Sequence, residues 1–310
     1  MLLTGLLKPS GLARRMRWPL AAAALACVMA ASAAGMVGAS DSTDQSLLQI
    51  EEVSSRLSGT PAAVEDVSKA ATDRGIPETS QARPLLEAAA RSSFNADSML
   101  AEISKAIGAA GGDAADPKAF AKAAAALKEG QAKIARMYQA QDQAAGKDIE
   151  RRLADPADGP RIKELADLMA GPDLAVESAF TAQLMYLSLE ALSNTAAGTL
   201  ASASEDKLKS EIKSVISSLR SKSENEKPVP KDIARANEKT RLTLVLATLS
   251  PEDLSVLTDF YRSAGGKAKR GALVESYKQA SNQANTDMLG HFFQALADYL
   301  KTHPRPQQQQ

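Results

Sequence analysis

The sequence predicts an all-α protein, a multi-helix bundle built from antiparallel helix hairpins. Three observations support this fold class. Apolar residues recur three and four positions apart, and no stretch shows the sustained alternation that is typical of a β-strand. Alanine-rich segments favour helix, because alanine loses no side-chain entropy there. Aromatic residues make up only 4% of the chain, so the core is expected to consist mainly of Ala, Leu, Ile, Val and Met.

The first 39 residues have the order of features of a secretory signal peptide. They begin with the basic residues Lys8, Arg14, Arg15 and Arg17 and continue with an uncharged stretch, WPLAAAALACVMAASAAGMVGA, over 18–39. A polar run follows. Cleavage is expected after Ala33 or after Ala39, where small residues precede the cut. The sequence therefore predicts an exported protein, periplasmic or secreted.

An uncleaved inner-membrane anchor is the alternative, because residues 18–39 are long enough to cross a bilayer. Pro19 and the weak hydrophobicity of alanine favour cleavage. Cys27, the only cysteine, stands in this stretch in a poor lipoprotein context. Loss of the stretch would leave a mature protein without a disulfide or a thiol nucleophile.

Charge patterning argues against a nucleic-acid partner. The chain has 37 basic and 37 acidic residues, and residues 1–39 hold four of the basic ones and no acid. Their removal leaves 33 basic against 37 acidic residues, a net charge of −4. Nucleic-acid binding demands a basic footprint, which a mildly acidic protein lacks as a whole.

An N-terminal helical region is predicted over residues 45–194, with proline residues marking helix starts and glycine residues marking ends. Thr60-Pro61 and Asp116-Pro117 each combine a capping residue with proline at the first helical position. The helix that begins at Pro117 is expected to run to about Leu153, with a bend near Gly130 or Gly146. The predicted helices cover about 46–57, 61–75, 84–107, 117–153, 160–170 and 172–193.

A C-terminal helical domain is predicted over residues 202–302, after a break rich in small and polar residues at 194–204. Its helices are expected over about 205–219, 233–249, 251–264 and 267–300, with a polar linker at 221–231. The remaining segment, 303–310, ends in PRPQQQQ and is expected to be a disordered tail.

The segment LSPEDLSVLTDFYRSAGGK (249–267) predicts a tight corner between two helices. Ser250 and Pro251 give a cap and a first-turn proline, and two acids then face the positive end of the helix dipole. Gly265-Gly266 is expected to end the helix with a positive φ. The residues assigned to this corner are Leu254, Leu257, Phe260, Tyr261, Ser263, Gly266 and Lys267.

This segment, with its continuation to residue 285, resembles the hallmark of the domain of unknown function 2059 family, whose members are exported bacterial helical proteins. The aromatic pair Phe260-Tyr261, Ser263 and Gly266-Lys267 match the family pattern, whereas Ala264 stands where proline is usual. The resemblance implies a helical fold and an envelope or secreted location. The family has no agreed activity, so the resemblance assigns no catalytic residue.

No catalytic, cofactor-binding or metal-binding motif stands out in the sequence. His291 follows Asp287 by four residues, but no third metal ligand is evident, and His303 belongs to the tail. There is no Gly-x-Ser-x-Gly elbow, phosphate-binding loop or dinucleotide fingerprint. The sequence therefore predicts no cofactor.

One basic cluster suggests an anion-binding face, consisting of Arg262, Lys267, Lys269, Arg270 and Lys278. A cationic helix face of this kind attracts an anionic polymer or a membrane surface. The favoured hypothesis is a non-enzymatic, exported envelope protein that binds or scaffolds an envelope protein or an anionic polymer. The alternatives are an envelope hydrolase and a protein that attaches to the membrane surface through this basic helix. Stable membrane insertion is expected only if residues 18–39 are kept as an anchor.

Overall fold

The computed structural model describes residues 43–76, 79–112, 115–192, 205–225 and 230–303. Helices account for 88% of these residues and no strand occurs among them, which confirms the predicted all-α multi-helix bundle. The predicted signal segment, the whole of the predicted break at 194–204 and the tail from residue 304 lie outside the described residues.

Thirteen helices occur in the described ranges. They are α1 (Thr43–Ile50), α2 (Val53–Gly59), α3 (Ala63–Asp73), α4 (Thr79–Ser93), α5 (Ala96–Ala109), α6 (Pro117–Ala140), α7 (Gln143–Ala154), α8 (Asp158–Leu168), α9 (Gly171–Leu192), α10 (Glu205–Asn225), α11 (Pro230–Leu246), α12 (Pro251–Arg262) and α13 (Ala264–Thr302).

Two helices, α9 and α13, form the centre of the bundle. Helix α9 is apolar on nearly all sides, and every residue from Leu184 to Leu189 is buried, as expected for a helix surrounded by others. It packs on α11, α3 and α13. Helix α13 has 39 residues and is therefore about 58 Å long at 1.5 Å per residue. It packs along α4, α5, α9 and α10.

The two predicted regions, 45–194 and 202–302, contribute to one hydrophobic core. Helix α6 of the first region packs on α12 and α11 of the second, and α8 also packs on both of them. A pair of aromatic rings joins the regions directly, because Phe120 of α6 lies 4.3 Å from Phe260 of α12 between ring centroids. The two regions are therefore interlocked rather than side by side.

The first predicted helix, 46–57, is interrupted in the structure. Helix α1 ends at Ile50 and α2 begins at Val53, because Glu52 between them adopts a left-handed conformation with φ of 54°. Non-glycine residues rarely adopt this conformation, which costs roughly 1–2 kcal/mol. No proline or glycine marks the interruption, so the sequence gives no local sign of it.

Two further predicted helices are each divided by a capping side chain. Asn95 caps α5 through its side-chain oxygen and thereby separates α5 from α4, which begins before Pro84 and contains it. Gln141 has a φ of 52°, and Asp142 then accepts hydrogen bonds from the amides of Ala144 and Ala145. The prediction of one helix from 117 to 153 with a bend at a glycine is therefore wrong.

The polar linker predicted over 221–231 is also largely helical. Helix α10 continues to Asn225, and α11 already begins at Pro230. Only 226–229 fall between the two helices, and these residues lie outside the described ones.

The corner between α12 and α13 exists, but glycine has a different role from the predicted one. Ser250 caps α12, as predicted, by accepting from the amide of Asp253. The chain then turns at Ser263, whose extended backbone and side-chain oxygen cap α13 by accepting from the Gly266 amide at 2.9 Å. Gly265 and Gly266 lie in the first turn of α13, so the predicted positive φ is wrong.

Gly266 is needed because the two helices approach closely at this corner. A Cβ atom at Gly266 would overlap the carbonyl oxygen of Phe260. We expect Gly266→Ala to lower the free energy of unfolding by about 1–3 kcal/mol, because the backbone would have to shift. Urea denaturation followed by circular dichroism measures the change.

Gly271→Ala is the matched control, because Gly271 lies one turn further along α13 with nothing within 4 Å of an added Cβ. This substitution should raise the free energy of unfolding by about 0.5–1 kcal/mol through helix propensity alone. Equal effects of the two substitutions would contradict the proposed close approach.

Candidate functional site

The most unusual polar group in the described part of the chain is the carboxylate of Glu51, which is 1% exposed. It lies at the interruption between α1 and α2 and accepts hydrogen bonds from two backbone amides, Ala170 at 2.8 Å and Gly171 at 2.6 Å. The hydroxyl of Tyr261 on α12 also donates to it. One side chain thus joins the α1–α2 junction to the start of α9 and to α12.

These two amides have no partner within a helix, and so can donate to Glu51, because α8 ends at Leu168, just before α9 begins. Met169 between the two helices is extended, with ψ of 158°. The first amides of a helix have no partner inside it and carry the positive end of the helix dipole. Glu51 therefore caps α9 from a residue about 120 positions away in the chain, where local sequence usually supplies the cap.

Burial and hydrogen bonding act on the pKa of Glu51 in opposite directions. Burial raises the pKa, and the hydrogen bonds from Tyr261, Ala170 and Gly171 lower it only in part, so the pKa lies above the usual value for glutamate. Burial also raises the pKa of Tyr261 well above its usual value, and the neighbouring Glu51 carboxylate adds to this. Tyr261 therefore acts as a hydrogen-bond donor.

Four charged side chains adjoin Glu51, and we call them the ionic cluster: Glu52, Arg56, Glu238 and Arg241. Arg241 donates to Glu238 at 2.9 Å and 2.8 Å and also contacts Glu52 with both terminal nitrogens. Arg56 pairs with Glu238 and lies 3.6 Å from Glu52. The ionic cluster joins the α1–α2 junction to α11 and holds Glu52 in its left-handed conformation.

The arginines determine the titration of Glu238. Burial alone would raise its pKa, but Arg56 and Arg241 outweigh burial and lower the pKa to about 2. The pKa of Arg56 and that of Arg241 are both raised, because their carboxylate partners outweigh the effect of burial. Glu238 is therefore ionised at neutral pH and lies between two positively charged arginines.

A second group of charges surrounds the start of α9 from the other side. Arg270 of α13 donates to the carbonyl of Leu168 at 2.7 Å and to that of Met169 at 3.2 Å. It also pairs with Asp173 at 2.5 Å, and Arg235 of α11 pairs with the other oxygen of Asp173 at 2.5 Å. Arg270 thus satisfies the last carbonyls of α8 while Asp173 lies in the first turn of α9.

The residues of the predicted corner do not come together as a site for a ligand. Leu254, Leu257, Phe260 and Tyr261 are buried in the core. Ser263 and Gly266 make the turn, and Lys267 of this group is exposed. The corner contributes one polar group to the candidate site, the Tyr261 hydroxyl.

The predicted basic cluster does not form one free cationic face. Arg262 pairs with Glu164 at 2.6 Å, and Lys269 is 6% exposed and pairs with Asp44 at 2.6 Å. Arg270 is occupied by Asp173. Of the five cations, Lys267 and the half-buried Lys278 have no ion-pair partner within the described ranges.

A shallow surface pocket of about 240 Å³ lies beside Tyr261. Asp167, Leu168, Lys267 and Arg270 form the rest of its lining. Asp167, its one carboxylate, pairs with Lys239 at 2.5 Å. The volume is smaller than that of most small-molecule sites, roughly 300–1,000 Å³.

Each of the two histidines contacts neighbouring side chains in the structure. Nδ1 of His291 lies 3.1 Å from the Ser92 hydroxyl and 3.2 Å from that of Ser93, and Asp287 accepts from Gln283 instead. His303 stacks on Tyr299. Within the described ranges, no three side chains of metal-binding type come together. None of the described helices is both long and apolar enough to span a bilayer.

Sequence reasoning missed the charged residues at the centre of this site, although a signal for them exists. Glu51 stands four positions after Leu47, on the apolar side of α1, and Glu238 stands four positions before Leu242 on α11. A charged residue on an apolar stripe indicates a buried ion pair or a buried hydrogen-bonded carboxylate.

Comparison of the chain with protein-family models, with curated proteins and with solved structures finds no match in any of the three. The resemblance of residues 249–285 to the 2059 family stays a prediction.

Replacement of Glu51 tests whether its three hydrogen bonds hold the bundle together. We expect Glu51→Gln to lower the free energy of unfolding by about 1–3 kcal/mol, because the new amide group leaves a buried amide donor without an acceptor. Tyr261→Phe should cost about 1–2 kcal/mol through loss of one of the bonds. Urea denaturation at neutral pH measures both.

Tyr138→Phe serves as the matched control for the second substitution, because Tyr138 is 58% exposed on α6. Its effect should stay within about 0.5 kcal/mol. If Tyr261→Phe were as mild as this control, the hydroxyl of Tyr261 would not be a structural donor.

The low pKa of Glu238 predicts acid sensitivity of the ionic cluster. A carboxyl group with a lowered pKa in the folded state contributes stability above its unfolded pKa of 4.5 and loses that contribution as the pH falls towards about 2. We expect the cost of Glu238→Gln, obtained from urea denaturation, to be largest above pH 4.5 and to shrink steadily below it.

Glu65→Gln removes one negative charge from the exposed side of α3 and is the control at pH 7, where its cost should stay within about 0.5 kcal/mol. A cost of Glu238→Gln that stays constant down to about pH 2.5 would show that the arginines do not lower the pKa of Glu238.

Proposed function

We propose that this chain is an exported, non-enzymatic helical protein of the cell envelope with a binding or scaffolding role. Its basic, then apolar N-terminus supports export. The scaffolding role is supported chiefly by one observation: the buried charged groups contact one another and the ends of helices. Glu51 holds α1, α9 and α12 together, and the ionic cluster adds α2 and α11.

The position of α1 is compatible with both proposed cleavage sites. The described fold begins at Thr43, and Leu47 and Ile50 of α1 are fully buried in the core. Cleavage after Ala33 or after Ala39 therefore removes no residue of α1. Cleavage at either position keeps every described residue in the mature chain.

Rigid cross-links of this kind suit a protein that presents a fixed surface. Arg220 extends the pattern, because it pairs with Glu177 of α9 at 2.6 Å and donates to Asn282 of α13 at 2.9 Å. Breaking a buried ion pair by removing one partner is strongly unfavourable. Each cross-link therefore resists separation of the helices that it joins.

An envelope hydrolase remains the alternative hypothesis. Hydrolysis of a glycan by acid–base chemistry uses two carboxyl groups that face one cleft. The pocket beside Tyr261 presents one, and that group is paired with Lys239. Turnover of an envelope substrate by the purified protein, abolished by one point substitution, would favour the hydrolase over the scaffold.

If the chain is exported as proposed, its signal segment is removed and the mature protein is found outside the cytoplasm. In fractionated bacterial cells that produce the chain, we expect the main form in the periplasm or medium to begin at Ala34 or Ser40, as read by N-terminal sequencing. A double substitution, Ala33→Leu with Ala39→Leu, should leave the full-length chain in the membrane fraction, because signal peptidases require small residues before the cut.

Ala21→Leu is the control, since it lies inside the apolar stretch and leaves both cleavage sites unchanged. It should be processed like the unchanged protein. Recovery of the full-length, unprocessed chain as a free protein of the cytosol would contradict export.

A further inference from the structure

The two sides of α6 differ sharply in chemistry. One side is buried and carries Phe120, Ala123, Ala124, Leu127, Gly130 and Ile134. The opposite side is exposed and carries Lys118, Lys122, Lys133 and Arg136, which we call the α6 basic face. At 100° per residue these four side chains lie within about 60° of one another around the helix, and at 1.5 Å per residue they extend over roughly 27 Å.

The cations of the α6 basic face differ from many other surface cations of the bundle in having no acidic partner. On other helices such cations pair with an acid three or four residues away, as in Lys69–Asp73, Arg91–Glu87, Arg151–Asp148 and Lys301–Asp298. None of the four cations of the α6 basic face forms an ion pair with another described residue.

Helix α6 itself carries few acidic residues that could neutralise the α6 basic face. Glu129 is the one acid within the helix, and Asp116 before it is the N-cap. Exposed alanines, Ala125 and Ala132, stand between the cations. Lys128, also exposed, lies on the flank of the helix, about 80° around from Lys118 and Arg136 at 100° per residue. Small side chains between long cationic ones let a charged surface approach the whole length of the helix.

We propose that the α6 basic face binds an anionic lipid surface. The proposal rests on the proposed function in one respect: it names the partner of an envelope protein whose role is to bind. Each Lys or Arg near an anionic leaflet adds to the attraction, and salt screens it within a Debye length. The four charges act together because they lie on the same side of one helix.

The shape of the face favours a lipid surface over an anionic polymer. Proteins that hold a polymer strand commonly place cations along a groove that follows the strand. The α6 basic face is instead the convex outer side of one helix. A convex row of cations can meet the flat array of anionic headgroups along its whole length by electrostatic attraction alone, because the apolar side of α6 is occupied by the core.

Vesicle sedimentation tests the proposal with the protein as recovered from producing cells. We expect binding to vesicles with about one third phosphatidylglycerol in phosphatidylcholine, weaker binding as salt rises from roughly 50 to 500 mM, and little binding to phosphatidylcholine alone. A variant in which Lys118, Lys122, Lys133 and Arg136 are all changed to Gln should lose more than about tenfold in binding to the anionic vesicles. Gln keeps a high helix propensity.

A matched control removes the same total charge elsewhere. Arg83, Lys105, Lys163 and Lys213 are exposed cations on α4, α5, α8 and α10. Their joint replacement by Gln should reduce binding by less than about threefold. Equal losses in the two variants would show that net charge alone matters, and they would overturn the assignment to α6. So would tighter binding of soluble polyphosphate than of anionic vesicles, because the partner would then be a polymer.

Glu129→Gln keeps the test decisive if the quadruple variant fails to fold. Removal of the one acid inside the face should raise binding to anionic vesicles about twofold or more, and a folding defect does not produce a specific gain. Unchanged or weaker binding would count against the proposal. The export experiment is separate: vesicle binding by the α6 basic face can succeed when the protein is not exported, and export can succeed without vesicle binding.

Discussion

The bundle depends on the burial of one carboxylate at the point where three helices meet. Glu51 is removed from water. One carboxylate oxygen accepts hydrogen bonds from the Ala170 amide and the Tyr261 hydroxyl, and the other accepts from the Gly171 amide. Burial of a carboxylate is costly unless donors surround it, and the first amides of a helix are donors that themselves need an acceptor. Each group therefore satisfies the other. This mutual requirement fixes the α1–α2 junction against α9.

The ionic cluster and Arg270 extend the same principle to neighbouring helix ends. Glu52 adopts a left-handed backbone, and the contacts of its carboxylate with Arg241 and Arg56 stabilise that conformation. Arg270 contacts the end of α8 and, through Asp173, the first turn of α9. Helices that end inside a protein leave unpaired backbone groups, and side chains from distant segments satisfy them here.

The sequence predicts the helical class well because helix formation depends on local spacing. Leucine and alanine periodicity, proline at the first turn and the Ser250 cap all act within a few residues. The apolar spacing marks Glu51 as a buried charge, but its partners lie more than 100 positions away, so no local pattern identifies them. The interruption at Glu52 likewise depends on distant residues, because Arg241 contacts its carboxylate. The same holds for the basic cluster around Arg270, whose partners Glu164, Asp44 and Asp173 come from other helices.

Gly266 shows how one residue type satisfies two different physical requirements. In a turn that ends a helix, glycine is favoured because it tolerates a positive φ, and the local sequence fits that role equally well. The structure uses instead the absence of a Cβ, which lets α13 start directly over the last turn of α12. That close approach places Lys269 and Arg270, three and four residues later, opposite Asp44 and Asp173. Positive charge near the corner is therefore used inside the bundle, whereas the cations of α6 remain directed outwards.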